Sequence, residues 1–159
     1  MRRILLVFTI ICSVFIYIIN LQKKQIKQIQ SSYEKVKIYF QMMNMWLEMK
    51  QKGRSAVEYL QKKGIKRIAI YGMRELGERF YEEAKNGDIE VVCIIDKEAD
   101  QIKGDFLVIS PEQTFPKVDA IIVTADYYYN EIWNVLKTKV DCPIYSLKGV
   151  LGNSFCRYL

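Results

Sequence analysis

Residues 66–97 read KRIAIYGMRELGERFYEEAKNGDIEVVCIIDK, and their periodicity changes twice. Lys66 to Tyr71 is a short apolar run stopped by Gly72, the mark of a buried strand. Leu76, Phe80, Tyr81 and Ala84 then recur at helical spacing until Asn86-Gly87, a helix stop. Ile89 to Ile95 is a second apolar run, closing on Asp96-Lys97. Strand, glycine turn, helix and strand within about 30 residues make a βαβ unit, whose two strands run parallel.

Working outward, Phe106–Ile109 is a third strand and Ser110-Pro111-Glu112-Gln113 starts a short helix, with Ser as cap and Pro at its first position. Val118–Thr124 is a fourth strand, and Asp126 is placed to cap a helix over 127–139. Tyr128, Ile132 and Leu136 would form that helix's buried face. Pro143–Leu147 is a fifth strand, and a short tail helix follows from Val150 and Leu151. Strands alternating with helices imply a parallel sheet covered on both faces. The fold class is therefore α/β, a small Rossmann-like parallel sheet of about five strands.

The glycine turn carries the chemistry. In Gly-x-Gly-x-x-Gly the first glycine permits the tight turn, the second lets a pyrophosphate approach the backbone, and the third allows close helix packing. Gly72 and Gly77 take the first and third roles, and Arg74 stands in the second. Arg74 either supplies a cationic fork for a phosphate or fills the cofactor's place. Asp96 ends the second strand 24 residues after Gly72, the separation expected of an acid that accepts ribose hydroxyls. In an open α/β sheet the ends of strands one and four flank the crevice. The candidate cofactor-binding residues are Gly72, Met73, Arg74, Glu75, Gly77, Asp96, Lys97, Thr124 and Asp126. NAD(P) or a nucleotide sugar is the candidate cofactor, and no catalytic or metal residue is assigned.

Upstream, Ile4–Leu21 (ILLVFTIICSVFIYIINL) holds no charge, and its 18 residues span about 27 Å as a helix, one hydrocarbon core. Arg2 and Arg3 also fit a signal peptide, but no small-x-small cleavage signature follows. Lys23, Lys24, Lys27, Lys35 and Lys37 follow the span, and this excess favours a cytoplasmic C-terminal side of the cell membrane. Ile26, Ile29, Tyr33, Val36, Phe40, Met43 and Leu47 then alternate at spacings of three and four, an a/d stripe. Two readings stay open: a parallel coiled coil that makes a homodimer through 26–47, or an amphipathic helix lying on lipid or on its own domain. The flanking Gln30, Lys37, Ser32 and Tyr39 lack the opposed charges that usually select a partner. Gly53 ends that helix, and Ser55 caps the next one, which ends at Gly64. The chain thus divides into a transmembrane helix (4–21), a stalk (22–52), a lead-in helix (54–63), the Rossmann-like domain (64–150) and a tail (151–159).

Charge follows this division. Residues 1–63 hold 12 Lys/Arg against three acids, and 64–159 hold 12 against 15, so +9 and −3 make up the net +6. The folded part lacks the basic stripe of a nucleic-acid binder, and the basic part suits anionic lipid head groups. Cys12, Cys93, Cys142 and Cys156 have no metal-ligand spacing, and there is no histidine, so mixed zinc sites are excluded. Cys93 reads as a small core residue.

The stretches IAIYGMRELGERFYEEAKNGDIEVVCIIDKEADQIKGDFLVISPEQ (68–113) and VDAIIVTADYYYNEIWNVLK (118–137) resemble bacterial Rossmann-like domains of capsule and cell-surface polysaccharide loci. Related folds open membrane nucleotide-sugar dehydratases and form the nucleotide-sugar-binding ends of some sugar acyltransferases. The resemblance covers about residues 46–148, with WLEMKQKG and EYLQKKG as lead-in. It implies a role near nucleotide sugars, polysaccharide-assembly enzymes as partners, and Gly72, Gly77 and Asp96 at the site. Arg74 is where the chain departs from the family's glycine pattern.

A catalytic set is incomplete. Tyr-x-x-x-Lys pairs of the dehydrogenase kind occur at Tyr33/Lys37 and Tyr59/Lys63, both upstream of the sheet, and the same spacing recurs at Tyr81/Lys85 inside the first βαβ helix. No histidine, metal cluster or activated nucleophile fills the remaining roles. The expectation is a binding accessory protein of envelope polysaccharide synthesis, or a structural interaction protein with a degenerate domain and a self-associating stalk.

Overall fold

The computed structural model describes residues 1–155. It contains helix α1 (Arg2–Gln51), α2 (Ala56–Lys62), β1 (Arg67–Tyr71), α3 (Glu75–Lys85), β2 (Glu90–Ile95), β3 (Val108–Ile109), β4 (Ala120–Val123), α4 (Tyr129–Leu136), β5 (Ile144–Ser146) and α5 (Leu147–Phe155). Two compact units are present, Met1–Phe40 and Gln41–Leu159.

The first unit is helical throughout. It has no Pro or Gly to break it, and it is long and apolar enough to cross a membrane. Its stripe residues Ile26, Ile29, Tyr33, Val36 and Phe40 are all well exposed.

The second unit is α/β. Its sheet has the order β3-β2-β1-β4-β5, and every pairing is parallel. β1 and β4 at the centre are buried almost end to end, as expected of strands covered on both faces. Ala69, Tyr71, Cys93, Ile95, Ile121 and Val123 pack with Ile132 and Leu136 of α4. By strand alternation Ile68, Ile70, Ile94 and Ile122 point the other way. That side is served by α3, which contacts β1 and β2, with α2 beside it and α5 against α2 and β5. Burial pushes the Cys93 thiol up to about 11, so it stays protonated and behaves as the small core residue its surroundings suggest.

This unit begins at Gln41, inside the stretch assigned to the stalk. Met42, Trp46 and Met49 at the end of α1 are buried, and Trp46 lies 6.4 Å from the Phe80 ring of α3. Trp46 Nε1–H, Lys50 Nζ, Ser55 Oγ–H and the Ala56 amide all donate to Glu83 of α3, at 2.7, 2.9, 2.5 and 2.6 Å. Ser55 caps α2 as expected, accepting from the Val57 amide.

Several expectations need correction. Ser110–Gln113 makes one turn, not a helix. The Gln113 amide reaches Ser110 O and its side chain accepts from the Ser110 amide, but Pro116 soon follows and biases Phe115 away from helical angles. The helix expected over 127–139 is a 3₁₀ turn at Asp126–Tyr128 followed by α4. That tighter turn shifts the phase, so Tyr128 is exposed. Tyr129 packs on the core instead, its hydroxyl donating to Ile144 O at 2.9 Å. Asp126 makes no cap for α4. Strands β3, β4 and β5 are each shorter than the expected runs, and Leu147 opens α5. The last four residues of the expected tail, 156–159, lie outside the described residues.

Candidate functional site

The carboxyl ends of β1, β2 and β4 lie where the sheet order reverses, since the chain runs outward from β1 through β2 to β3 and then crosses to β4 on the other side of β1. Gly72 leaves β1 at φ +95°, a conformation that L side chains rarely adopt. A Cβ there would stand 2.8 Å from Thr124 Oγ1, and one on Gly77 would stand 2.1 Å from Gly72 O. Both glycines are thus required by the packing of the turn itself. Thr124, buried at the end of β4, donates its hydroxyl to Gly72 O at 2.7 Å and lies 3.1 Å from Tyr71 O.

Asp96 joins the same turn from β2. Its Oδ2 accepts from the Met73 amide and its Oδ1 from the Glu98 amide, each at 2.9 Å. Each oxygen so keeps a lone-pair direction beyond the one used here. The carboxylate is half-buried at the edge.

The remaining assigned residues divide. Gly72, Met73, Gly77, Asp96 and Thr124 form one connected group. Arg74 and Glu75 open α3 at the exposed rim, and Lys97 is exposed beside them. Arg74 is 82 % exposed and reaches Glu98 at 3.5 Å, an ion pair of little energetic weight. Arg74 makes no side-chain cap, so the first-turn amides of α3 lack a side-chain acceptor from that position. Asp126 turns away from the group and accepts from the Lys148 amide at 3.3 Å. Burial raises its pKa, against the Lys148 amide, Ser146 and the Lys148 charge. With Ser146, whose Oγ accepts from the Gly149 amide, it serves the start of α5.

Glu98 was not singled out from the sequence, although it stands two residues after Asp96, donates its amide to that carboxylate and pairs its side chain with Arg74. Among the described residues no group of three His, Cys, Asp or Glu could hold a metal ion.

What the fold and this turn define is a parallel α/β domain with a glycine-closed, acid-braced β1–α3 connection. The chain belongs to the C2185-like family, whose N-terminal-domain model matches residues 64–143, half of the chain. No curated protein and no solved structure shows a match.

Proposed function

We propose that the chain is a membrane-anchored, Rossmann-like binding module for a nucleotide or nucleotide sugar, acting as an accessory to envelope polysaccharide synthesis. The observation that carries this reading is the position of Asp96, 2.9 Å from the Met73 amide. A carboxylate stands on the glycine turn at the reversal of a 3-2-1-4-5 sheet, where dinucleotide-binding folds present an acid to ribose. Its free lone pairs would accept ribose hydroxyls, and the α3 amides would receive phosphate. The polysaccharide setting and its assembly enzymes come from the sequence resemblance, and the cytoplasmic side from the lysines after the span.

The test is a thermal-shift titration of the full chain in detergent with NAD, NADP, UDP-sugars and ATP. A ligand that binds only the native state raises the melting temperature by mass action, by about 2.7 kcal/mol of stability at one hundred times Kd. Asp96→Asn should weaken the bound ligand at least tenfold, since one charge-assisted bond is worth roughly 1.5–3 kcal/mol. Absence of any shift at millimolar ligand would sink the proposal.

A second reading, an interaction protein with a degenerate domain, draws on one observation. Gly72 and Gly77 are both explained by contacts within the turn, without a ligand. Arg74→Gly separates the two readings. Binding gained in that variant means the arginine side chain obstructs an intact crevice, while unchanged absence favours the interaction protein.

A further inference from the structure

We infer that the exposed stripe Ile26, Ile29, Tyr33, Val36 and Phe40 is covered by a second copy of this chain, in a parallel two-stranded coiled coil. The inference stands whichever ligand the globular unit takes; it rests on 4–21 spanning the membrane.

The stripe is 62–70 % exposed at all five positions, and its three-four spacing continues in sequence through Met43 and Leu47. On a helix, at about 100° per residue, Lys24, Lys27 and Lys35 fall on the opposite side, while Lys23 and Lys37 flank the stripe. An apolar face with a basic back also describes a helix lying on lipid, and continuity decides between them. From the apolar span to Phe40 the first unit is one unbroken helix. Sharp bends need Pro, Gly/Ser pairs or a helical bulge; the sequence has neither Pro nor Gly here, and the helix runs on through Ser31-Ser32. The helix therefore carries the stripe out of the bilayer, by about 28 Å from Leu21 to Phe40.

A second copy fits what remains. Anchoring in one membrane gives both copies the same direction, which makes the pair parallel. With Ile26 at position a and Ile29 at d, Gln25 faces Gln30 and Ser32 faces Lys37 of the second copy, so no like charges oppose. Five apolar side chains from each copy, at on the order of 100 Å² each, offer roughly 1,000 Å², the lower bound for a specific interface. No flank position carries an acid opposite Lys37, so register is left to the anchor and the stripe.

Single cysteines placed in the full chain test this in native membranes under a mild oxidant. Ile29→Cys and Val36→Cys should give crosslinked dimer at least tenfold above wild type. Lys24→Cys and Lys27→Cys, exposed on the back of the helix, should stay at the wild-type level. All four positions lie in the first unit, before the globular unit begins at Gln41, so its folding is not at stake. Equal crosslinking on both faces would mean random collision and overturn the inference. Absent crosslinks at 29 and 36 would overturn it too. If those cysteines are also shielded from a water-soluble maleimide, lipid or another protein covers the face. As a second measure, Val36→Glu should lower the dimer-to-monomer ratio in detergent at least tenfold, and an unchanged ratio would count against the stripe.

Discussion

Two carboxylates hold this globular unit, and they are used in opposite ways. Glu83 reaches from α3 to the end of α1 and the start of α2 with a side chain only 7 % exposed, and each of its oxygens takes two donors. Asp96 lies at the carboxyl edge of the sheet, half-buried, and each oxygen takes one. A saturated, dry carboxylate has nothing left to offer a ligand; its work is to fix helices. A half-satisfied one at a crevice shapes the turn and keeps acceptor capacity. Stability and binding should therefore separate cleanly between the two positions.

The largest effect is expected at Glu83. Glu83→Ala strands the Trp46 indole N–H and the Ala56 amide, and should cost about 3–5 kcal/mol, since each buried donor left unsatisfied costs about 1–3 kcal/mol. The denaturant midpoint followed by tryptophan fluorescence reads it. A loss under 1 kcal/mol would show that water replaces the carboxylate and that the cluster is not dry. Next comes Gly77→Ala, where the new methyl meets Gly72 O. Backbone cannot swing aside as a side chain can, so about 2–3 kcal/mol is expected from overpacking, with or without ligand. Third is Asp96→Asn, for which the comparison predicts a stability change of about 1 kcal/mol beside the loss of at least tenfold in ligand affinity. If Asp96→Asn proves as destabilising as Glu83→Ala, the two carboxylates are the same kind of device and the contrast fails.

Much of the edge was legible because its parts are local. The run from Lys66 to Asp96 is short, its period switches at glycines, and the Asp96–Met73 contact closes within one βαβ unit. The Glu83 cluster was not legible. Its partners Trp46 and Ala56 lie 37 and 27 residues away, and in Tyr81-Glu82-Glu83-Ala84 nothing distinguishes it from its solvent-facing neighbour Glu82. One signal was available. Met42, Trp46 and Met49 lie off the a/d stripe, and a helix with two apolar faces must place each against something; one of them meets the globular unit. Tyr128 misled for a related reason. The spacing of four assumed an α-helical start, and a 3₁₀ turn rotated the chain before α4 began. Asp126 likewise reads as a cap by its place before a helix, yet its acceptor is spent on α5, 22 residues on, a tertiary choice that local sequence does not encode.

The smallest effect, and the one that probes the comparison most directly, is the acid limb of stability. Burial acts to raise the Glu83 pKa, but hydrogen bonds from Ser55, Lys50 and Trp46, with the Lys50 charge, outweigh it and leave the carboxyl below its usual value of 4.5. A carboxyl with a lower pKa folded than unfolded binds fewer protons in the native state. Its stabilisation is full above pH 4.5 and is lost as pH falls through the folded value. The full chain should therefore lose stability progressively below that pH. Asp119, whose pKa the Lys66 and Arg67 amides lower, contributes in the same direction, so the acid slope of the wild type is a sum. Glu83→Gln isolates one part, because the amide does not titrate while Asp119 still does. The variant should be less stable at pH 7 and its curve should converge on the wild type as pH falls, the gap closing only below 4.5. A gap that stays constant across that range would mean Glu83 holds the helices through shape and neutral hydrogen bonds, and that its charge is incidental.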